Sequence, residues 1–526
     1  MIINAKTMKK IFIACLMAGA LTSCLDDEGN YTYTELNEIK IEGLEDTYKV
    51  LNKIDHIVIE PQVTGTILGD DDSQYEYEWH ICADGLYHSN HKVISHEKNL
   101  DYLADFDLSK QDANYNLYLT VTDKTTGLKA QASASIKPST SYSKGFIVLG
   151  DDESTGDIGL DMIVMPPGRD TTLVSNVIDN SETHWKGADR LLYSGMHYRK
   201  QQLWMCCDDG SYSMDLQSLA PVAELNDMAL IDTEFKHNMP MKVKDFFPHQ
   251  GLGGNARNAN YTGYMTEDMV VYALTISATY FTTPCNRTSS TSEKLFKFYP
   301  MVFSMGAYSS AYNTFMMLYN TDEQRFMRIT MSGIAASYCS TLADLPTDIF
   351  YWNQANYDKP RKIVWGGNSV NGSYGSSYAL MKNDDGEFFL YKFQAGSSSA
   401  VKQGCYDIDL SVAEHLADAS HYAVSGTNSI LIYSYGSTLY LYDYAAKTLF
   451  KRDMGAEITY LDLEAASTGS RTAFMIATYS SSEKGTIRKL DVGTDPNVLE
   501  VKDREREVWK TNLRVKDIEW KRNYGS

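Results

Sequence analysis

The sequence predicts an all-β chain, with an immunoglobulin-like β-sandwich followed by a β-propeller of six or seven blades, seven favoured. Three observations carry this. Apolar and polar residues alternate strictly in strand after strand between residues 37 and 138. From residue 143 onward, short hairpins recur around acidic-glycine turns for the rest of the chain. Helix signals are sparse, Ser411 to Ala417 being one candidate.

Residues 1–23 read as a leader and 24–36 as a tether. Lys6, Lys9 and Lys10 form a basic start, with Met8-Lys9-Lys10 opening a more compact version of it. Ile11 to Leu21 is an apolar run of about ten residues, too short to span a bilayer as a helix. Small residues lead into Leu21-Thr22-Ser23-Cys24, where a secretory signal would be cut. The pattern resembles a bacterial lipoprotein signal, which implies cleavage before Cys24 and acylation of that cysteine. Two or three acyl chains make a stable anchor where one does not. Leu25-Asp26-Asp27-Glu28 follows, an acidic patch that resembles a surface-export tag. The expected location is the outer membrane, lipid-anchored and facing the cell exterior.

Residues 37–138 supply the sandwich. Ile39 and Ile41 share one face of the first strand, and Ile57 and Ile59 alternate with polar neighbours before Pro61. Tyr75, Tyr77, Trp79 and Ile81 line one face, opposite Glu76, Glu78 and His80. Tyr115, Leu117, Leu119 and Val121 repeat the pattern, Asp123 to Gly127 turns, and Ala130 to Ile136 returns. Trp79 falls where such a sandwich needs its central aromatic.

Residues 143–526 supply the propeller. Gln202 to Cys206 leads into Asp208-Asp209-Gly210, and Tyr378 to Met381 leads into Asp384-Asp385-Gly386. Ser429 to Tyr435 turns at Gly436, and Ala473 to Tyr479 turns into Gly485 to Asp491. Asp-Gly between alternating runs is a strong hairpin signal. A blade cannot cover both of its own faces, so neighbours cover them and the ring closes. Val515 to Trp520 is placed to complete the first blade. An array of two-sheet sandwiches is the competing arrangement. Three stretches break the rhythm: Lys236 to Asp268, Thr282 to Glu293, and Tyr351 to Ser377.

The 526 residues carry a formal charge of −20, and losing the three lysines of the leader makes the chain more acidic. That balance argues against nucleic acid, which needs clustered Lys and Arg. An apolar content of 43% supports real cores. Six of the eight cysteines remain once Cys15 is removed and Cys24 is acylated: Cys82, Cys206, Cys207, Cys285, Cys339 and Cys405. No CxxC pair is present, so a structural zinc site is not expected. The six read as mostly free thiols with room for one disulfide.

Tyr77-Glu78-Trp79, Asn99-Leu100-Asp101-Tyr102 and the stretch from Tyr115 through Val121-Thr122-Asp123-Lys124 to Gly127 resemble the PKD-like family of Bacteroidetes lipoproteins. The cysteine signal and Asp26-Asp27-Glu28-Gly29-Asn30-Tyr31 resemble that family's start. The usual aromatic followed by Gly-Asp-Gly is replaced here by His80-Ile81-Cys82-Ala83-Asp84-Gly85. The resemblance implies an accessory surface lipoprotein of loci encoding SusC-like transporters and SusD-like binding proteins.

No catalytic signature is present: no GxSxG elbow, no HExxH and no P-loop. The pairs Asp151-Asp152, Asp208-Asp209 and Asp384-Asp385 lack EF-hand spacing and read as hairpin turns. His80, His88, His91 and His96 read as solvated loop residues. Neither metal nor cofactor is expected. The most suggestive segment holds Tyr351, Trp352, Tyr357, Trp365, Tyr374 and Tyr378 among Asn353, Asn356, Asn368 and Asn371. Flat rings beside amides suit sugars or extended peptides, although the same rings also suit a blade core.

The expected function is therefore non-enzymatic: glycan or peptide binding, docking to a SusC/SusD-type importer, or both. The first alternative is a propeller-type polysaccharide hydrolase or lyase, which requires converging acids or histidines at the propeller centre. The second is a structural or adhesion scaffold, with the sandwich as spacer.

Overall fold

The computed structural model describes residues 36–52, 55–83, 91–106, 114–139, 142, 144–166, 170–177, 187–197, 200–208, 210–216, 219–224, 242–247, 261–268, 270–274, 284–304, 316–332, 335–369, 375–395, 399–464, 472–493 and 498–522. Cys24 and the leader lie outside them, as do Tyr374, His88, Asn371 and Asp209. The described residues up to Pro138 belong to one compact unit and those from Ser139 to a second.

The first unit is a sandwich. A five-stranded antiparallel sheet runs in the order Thr47–Leu51, Lys129–Ser139, Tyr115–Asp123, Tyr75–Ala83 and His91–Ser95. Ile39–Glu42 pairs with Gln62–Gly65, and His56–Ile59 with Leu100–Leu103. The alternating apolar positions meet inside. Trp79, Leu117, Leu119, Val121 and Ile136 are fully buried, and the Trp79 indole N–H donates to the carbonyls of Glu97 and Lys98 at 3.0 and 3.2 Å. Asp123 holds its turn by accepting from the amides of Thr125 and Thr126 at 2.8 and 3.0 Å, while Gly127 takes φ +72°. One expectation fails. His80 is buried rather than solvated, stacked 5.2 Å from the Tyr118 ring, and burial lowers its pKa.

The second unit is a propeller, with seven consecutive antiparallel sheets among the described residues. Blade one combines Lys144–Asp152, Asp157–Val164 and Thr172–Val174 with the last strand of the chain, Arg514–Arg522, which is innermost. Blade two is Arg190–His197, Lys200–Cys207, Gly210–Met214 and Pro221–Glu224. Blade three is Asp245–Phe247, Tyr261–Met265 and Val270–Leu274. Blade four is Phe303–Ser304, Met316–Asn320, Arg325–Ser332 and Ala335–Thr341. Blade five is Arg361–Ser369, Ser376–Asn383, Phe388–Ala395 and Ala400–Asp407. Blade six is His421–Val424, Ile430–Tyr435, Thr438–Asp443 and Thr448–Asp453. Blade seven is Glu457–Leu463, Ala473–Ser480, Lys484–Val492 and Val501–Thr511.

The ring closes as the sequence predicts. Phe146 lies opposite Trp520 and Val148 opposite Ile518, so the chain end completes the first blade. Apolar clusters fill the junctions between neighbours. Ile147, Leu149 and Met162 pack with Leu203 and Met205 between blades one and two; Met475 and Ile487 pack with Phe146 and Trp520 between blades seven and one. Middle strands are buried on both faces, so Ser376–Asn383 is almost continuously buried instead of alternating. The Asp384-Asp385-Gly386 turn carries Gly386 at φ +84°, a left-handed conformation that favours glycine. The stretch Tyr351 to Ser377 is not one long loop, because Arg361–Ser369 is the innermost strand of blade five.

Candidate functional site

Each blade turns one free strand edge toward the axis, and charged residues on these innermost strands gather into one cluster. Arg190 stands on blade two, Asp245 on blade three, Tyr460 and Asp462 on blade seven, and Asp517 and Glu519 on the closing strand of blade one. The strands that carry them are neighbours around the axis: Arg514–Arg522 touches both Arg190–His197 and Glu457–Leu463, and Arg190–His197 touches Asp245–Phe247.

Asp517 is the centre of the cluster. Its Oδ2 accepts from the Leu191 amide of blade two at 2.6 Å, and its Oδ1 from the Ile518 amide at 3.0 Å. Burial pushes its carboxyl up to about 6, against the pull of Arg190, and Asp462 adds to the rise. Arg190 reaches across to blade three, donating from Nη1 to the Lys244 carbonyl at 2.6 Å. Burial disfavours its charge, but Asp245 and Asp517 outweigh this and hold the guanidinium more firmly protonated than a free one. Tyr460 donates to the Ile518 carbonyl at 3.1 Å. Its phenol is pushed well up, by burial first and then by Asp462, Asp517 and Glu519. Asp462 is exposed, while Arg190, Tyr460, Asp517 and Glu519 are half-buried.

The cluster therefore brings together one guanidinium, several carboxyls and a phenol on the innermost strands, with Asp245 itself buried. Such groups can donate to and accept from a polar ligand, and a carboxyl with a pKa near 6 can exchange a proton near neutrality. Among the described residues, no three His, Cys, Asp or Glu side chains group as a metal site.

The aromatics singled out in the sequence go elsewhere. Trp352 is buried among Phe326, Phe350 and Phe393, with ring centroids 5.0 to 5.6 Å away. Lys402 sits 5.1 Å over its ring and pairs with Asp344 at 2.6 Å. Tyr378 is 1% exposed, in the core between blades five and six. These two are core residues and not ligand contacts: Tyr378 stands on a strand covered on both faces, and Trp352 packs from the connection before blade five into the cluster between blades four and five. Trp365 lies 6.0 Å from Tyr422 and covers Gly367, where a Cβ would meet the indole at 2.5 Å. Tyr351 and Tyr357 remain half-buried, their rings 5.0 Å apart, with the Arg361 guanidinium 4.2 Å from the Tyr357 ring.

The described amides of that segment, Asn353, Asn356 and Asn368, are also occupied. Asn353 caps the short 3-10 turn Gln354–Asn356, and Asn368 donates to the Val302 carbonyl at 3.0 Å. Arg190, Asp462 and Asp517 do not stand out in the sequence. The available signal was charge at the interior of some innermost strands, as in Tyr460-Leu461-Asp462 and Val515-Lys516-Asp517-Ile518-Glu519.

Comparison with known proteins bears on the first unit. The model of the PKD-like family matches residues 24–184, which supports the sequence resemblance over that span. No curated protein matches the chain. Among solved structures, the chain is similar to a quinonprotein alcohol dehydrogenase-like protein of Bacteroides thetaiotaomicron, at 13% identity over 91% of this chain and 99% of that one, with TM-score 0.38. It is also similar to the WD40 domain of SCAP from fission yeast, at 13% identity over 64% and 74%, TM-score 0.33. A third is the periplasmic gluconolactonase of Pseudomonas aeruginosa, at 10% identity over 85% and 99%, TM-score 0.24. None of the three lends this chain an activity.

Proposed function

We propose that this chain is a lipid-anchored protein of the outer membrane, facing the cell exterior, whose propeller binds a polar ligand at its axis. The observation that carries the reading is the cluster around Arg190 and Asp517, built from the innermost strands of several blades. Carboxylates accept paired hydrogen bonds from vicinal hydroxyls. A glycan fits this chemistry better than a peptide. Cys24 and the acidic residues after it support the tethering, as does a family match that begins at residue 24. Docking to a SusC/SusD-type importer is the partner reading that the PKD-like resemblance supports. Two experiments test this. Metabolic labelling with a fatty acid should mark the wild type and not Cys24→Ala. Pull-down from solubilised outer membranes should recover a transporter, and recovering none removes the docking reading.

One observation favours a second reading, a polysaccharide hydrolase or lyase. Burial pushes the Asp517 carboxyl up to about 6, and Asp462, exposed in the same cluster, places a second carboxyl near it. Such pairs divide into acid and base. Incubation with a polysaccharide panel decides the matter: new reducing or unsaturated ends support this reading, and intact substrates remove it.

A further inference from the structure

We propose that Cys285 and Cys339 form an intramolecular disulfide that joins blade three to blade four. The inference rests on the proposed export only for the compartment in which the bond forms. Both side chains are fully buried in the apolar cluster between these blades. Cys285 extends blade three, its amide donating to the Val270 carbonyl at 2.7 Å. Cys339 stands on the outer strand of blade four. Its amide donates to the Arg287 carbonyl at 2.7 Å, and its Sγ donates to the Cys285 carbonyl at 3.2 Å. Both are free thiols in this structure, and these bonds bring the two side chains into direct contact, as a disulfide requires.

The other described cysteines are placed differently. Cys82 lies in the sandwich, with its Sγ 4.0 Å from the Asn116 carbonyl. Cys206 and Cys207 are adjacent on one strand and so face opposite sides. The Cys405 sulfur lies 3.7 Å from Arg361 Nη1.

Chemistry and timing are linked. Burial, with Cys285 beside it, pushes the Cys339 thiol well up, so the folded thiol is a poor nucleophile. The bond therefore forms during folding, before blade four closes. Its oxidant is a low-molecular-weight or protein disulfide. One cysteine thiolate attacks it to give a mixed disulfide, and the second cysteine displaces the leaving thiol. The net change joins the two Sγ atoms and reduces the oxidant to two thiols. The residues are 54 positions apart, so the link restricts the unfolded chain substantially.

The test refolds the full chain in a buffer of reduced and oxidised glutathione, alkylates under denaturing non-reducing conditions, and maps peptides by mass. The expected result is a cross-linked peptide pair carrying Cys285 and Cys339, two hydrogens lighter than the separate peptides and released by reductant. The oxidised protein should also melt at a higher temperature than the same protein after reduction, and Cys285→Ala/Cys339→Ala should show no such difference. Alkylation of both cysteines in the refolded wild type overturns the proposal. The refolding buffer makes this result independent of export, which the fatty-acid labelling of Cys24 tests separately.

Discussion

Phe146 and Trp520, from opposite ends of the propeller sequence, face each other in antiparallel register with their rings 4.9 Å apart. Trp520 is 4% exposed and belongs to the cluster that seals blade seven against blade one. Trp520→Ala should cost on the order of 3–5 kcal/mol, the usual range for removing a buried large aromatic. Calorimetric unfolding of the second unit reads this as a lower melting temperature. An unchanged melting temperature would mean that the closing strand does not hold the ring.

A second buried contact is ionic. Lys489 and Glu464, both almost fully buried on blade seven, pair at 2.6 Å. Lys489 also reaches Glu507 at 4.0 Å, so removing Glu464 leaves a buried charge less well compensated, at a cost of up to about 3–5 kcal/mol. Glu464→Gln should therefore destabilise strongly. Lys489→Met/Glu464→Leu should recover much of that loss, because the pair has paid for its own desolvation. Chemical denaturation of the three proteins gives the comparison.

Lys521, fully buried on the closing strand, donates from Nζ to the Tyr142 carbonyl, and burial lowers its pKa to about 7. The sign follows from linkage. The folded state binds this proton less tightly than the unfolded chain, whose lysine titrates near 10.4. Between those values the unfolded chain holds more protons, so stability contributed at this site rises with pH from about 7 toward 10. Wild type should gain stability over that window relative to Lys521→Met. Melting curves of both proteins across the window check it, and parallel curves would refute the burial effect.

The aromatic segment gives a fourth expectation. Trp352→Ala and Tyr378→Ala should lower the melting temperature by several degrees and leave ligand affinity unchanged in the fraction that folds, because both are core residues. Loss of affinity in either variant, at unchanged stability, would return the segment to the binding surface.

These residues also mark how far the sequence could be read. Period-two alternation located Trp79 and its neighbours because one face of a sandwich sheet meets solvent. The same logic weakened in the propeller. Both faces of Ser376–Asn383 are covered, so alternation disappears and an aromatic residue there carries no sign of which way it points. Tyr378 looked like a ligand contact for that reason, and Trp352 because it stands outside any strand, where an aromatic that packs into the core reads like an exposed one. The charged cluster was hidden by distance along the chain. Arg190 and Asp517 become neighbours only because the last strand returns to the first blade, and no local pattern connects residues separated by that closure.

Ligand binding at the axis is tested most directly by titration calorimetry against a glycan panel, comparing wild type with Asp517→Asn. Wild type should bind a glycan, with an affinity that changes around pH 6 as Asp517 ionises. Asp517→Asn should lose about tenfold or more in affinity, about 1.4 kcal/mol, together with that pH dependence. Equal affinity and pH response in the two proteins, or binding by neither, would contradict the account.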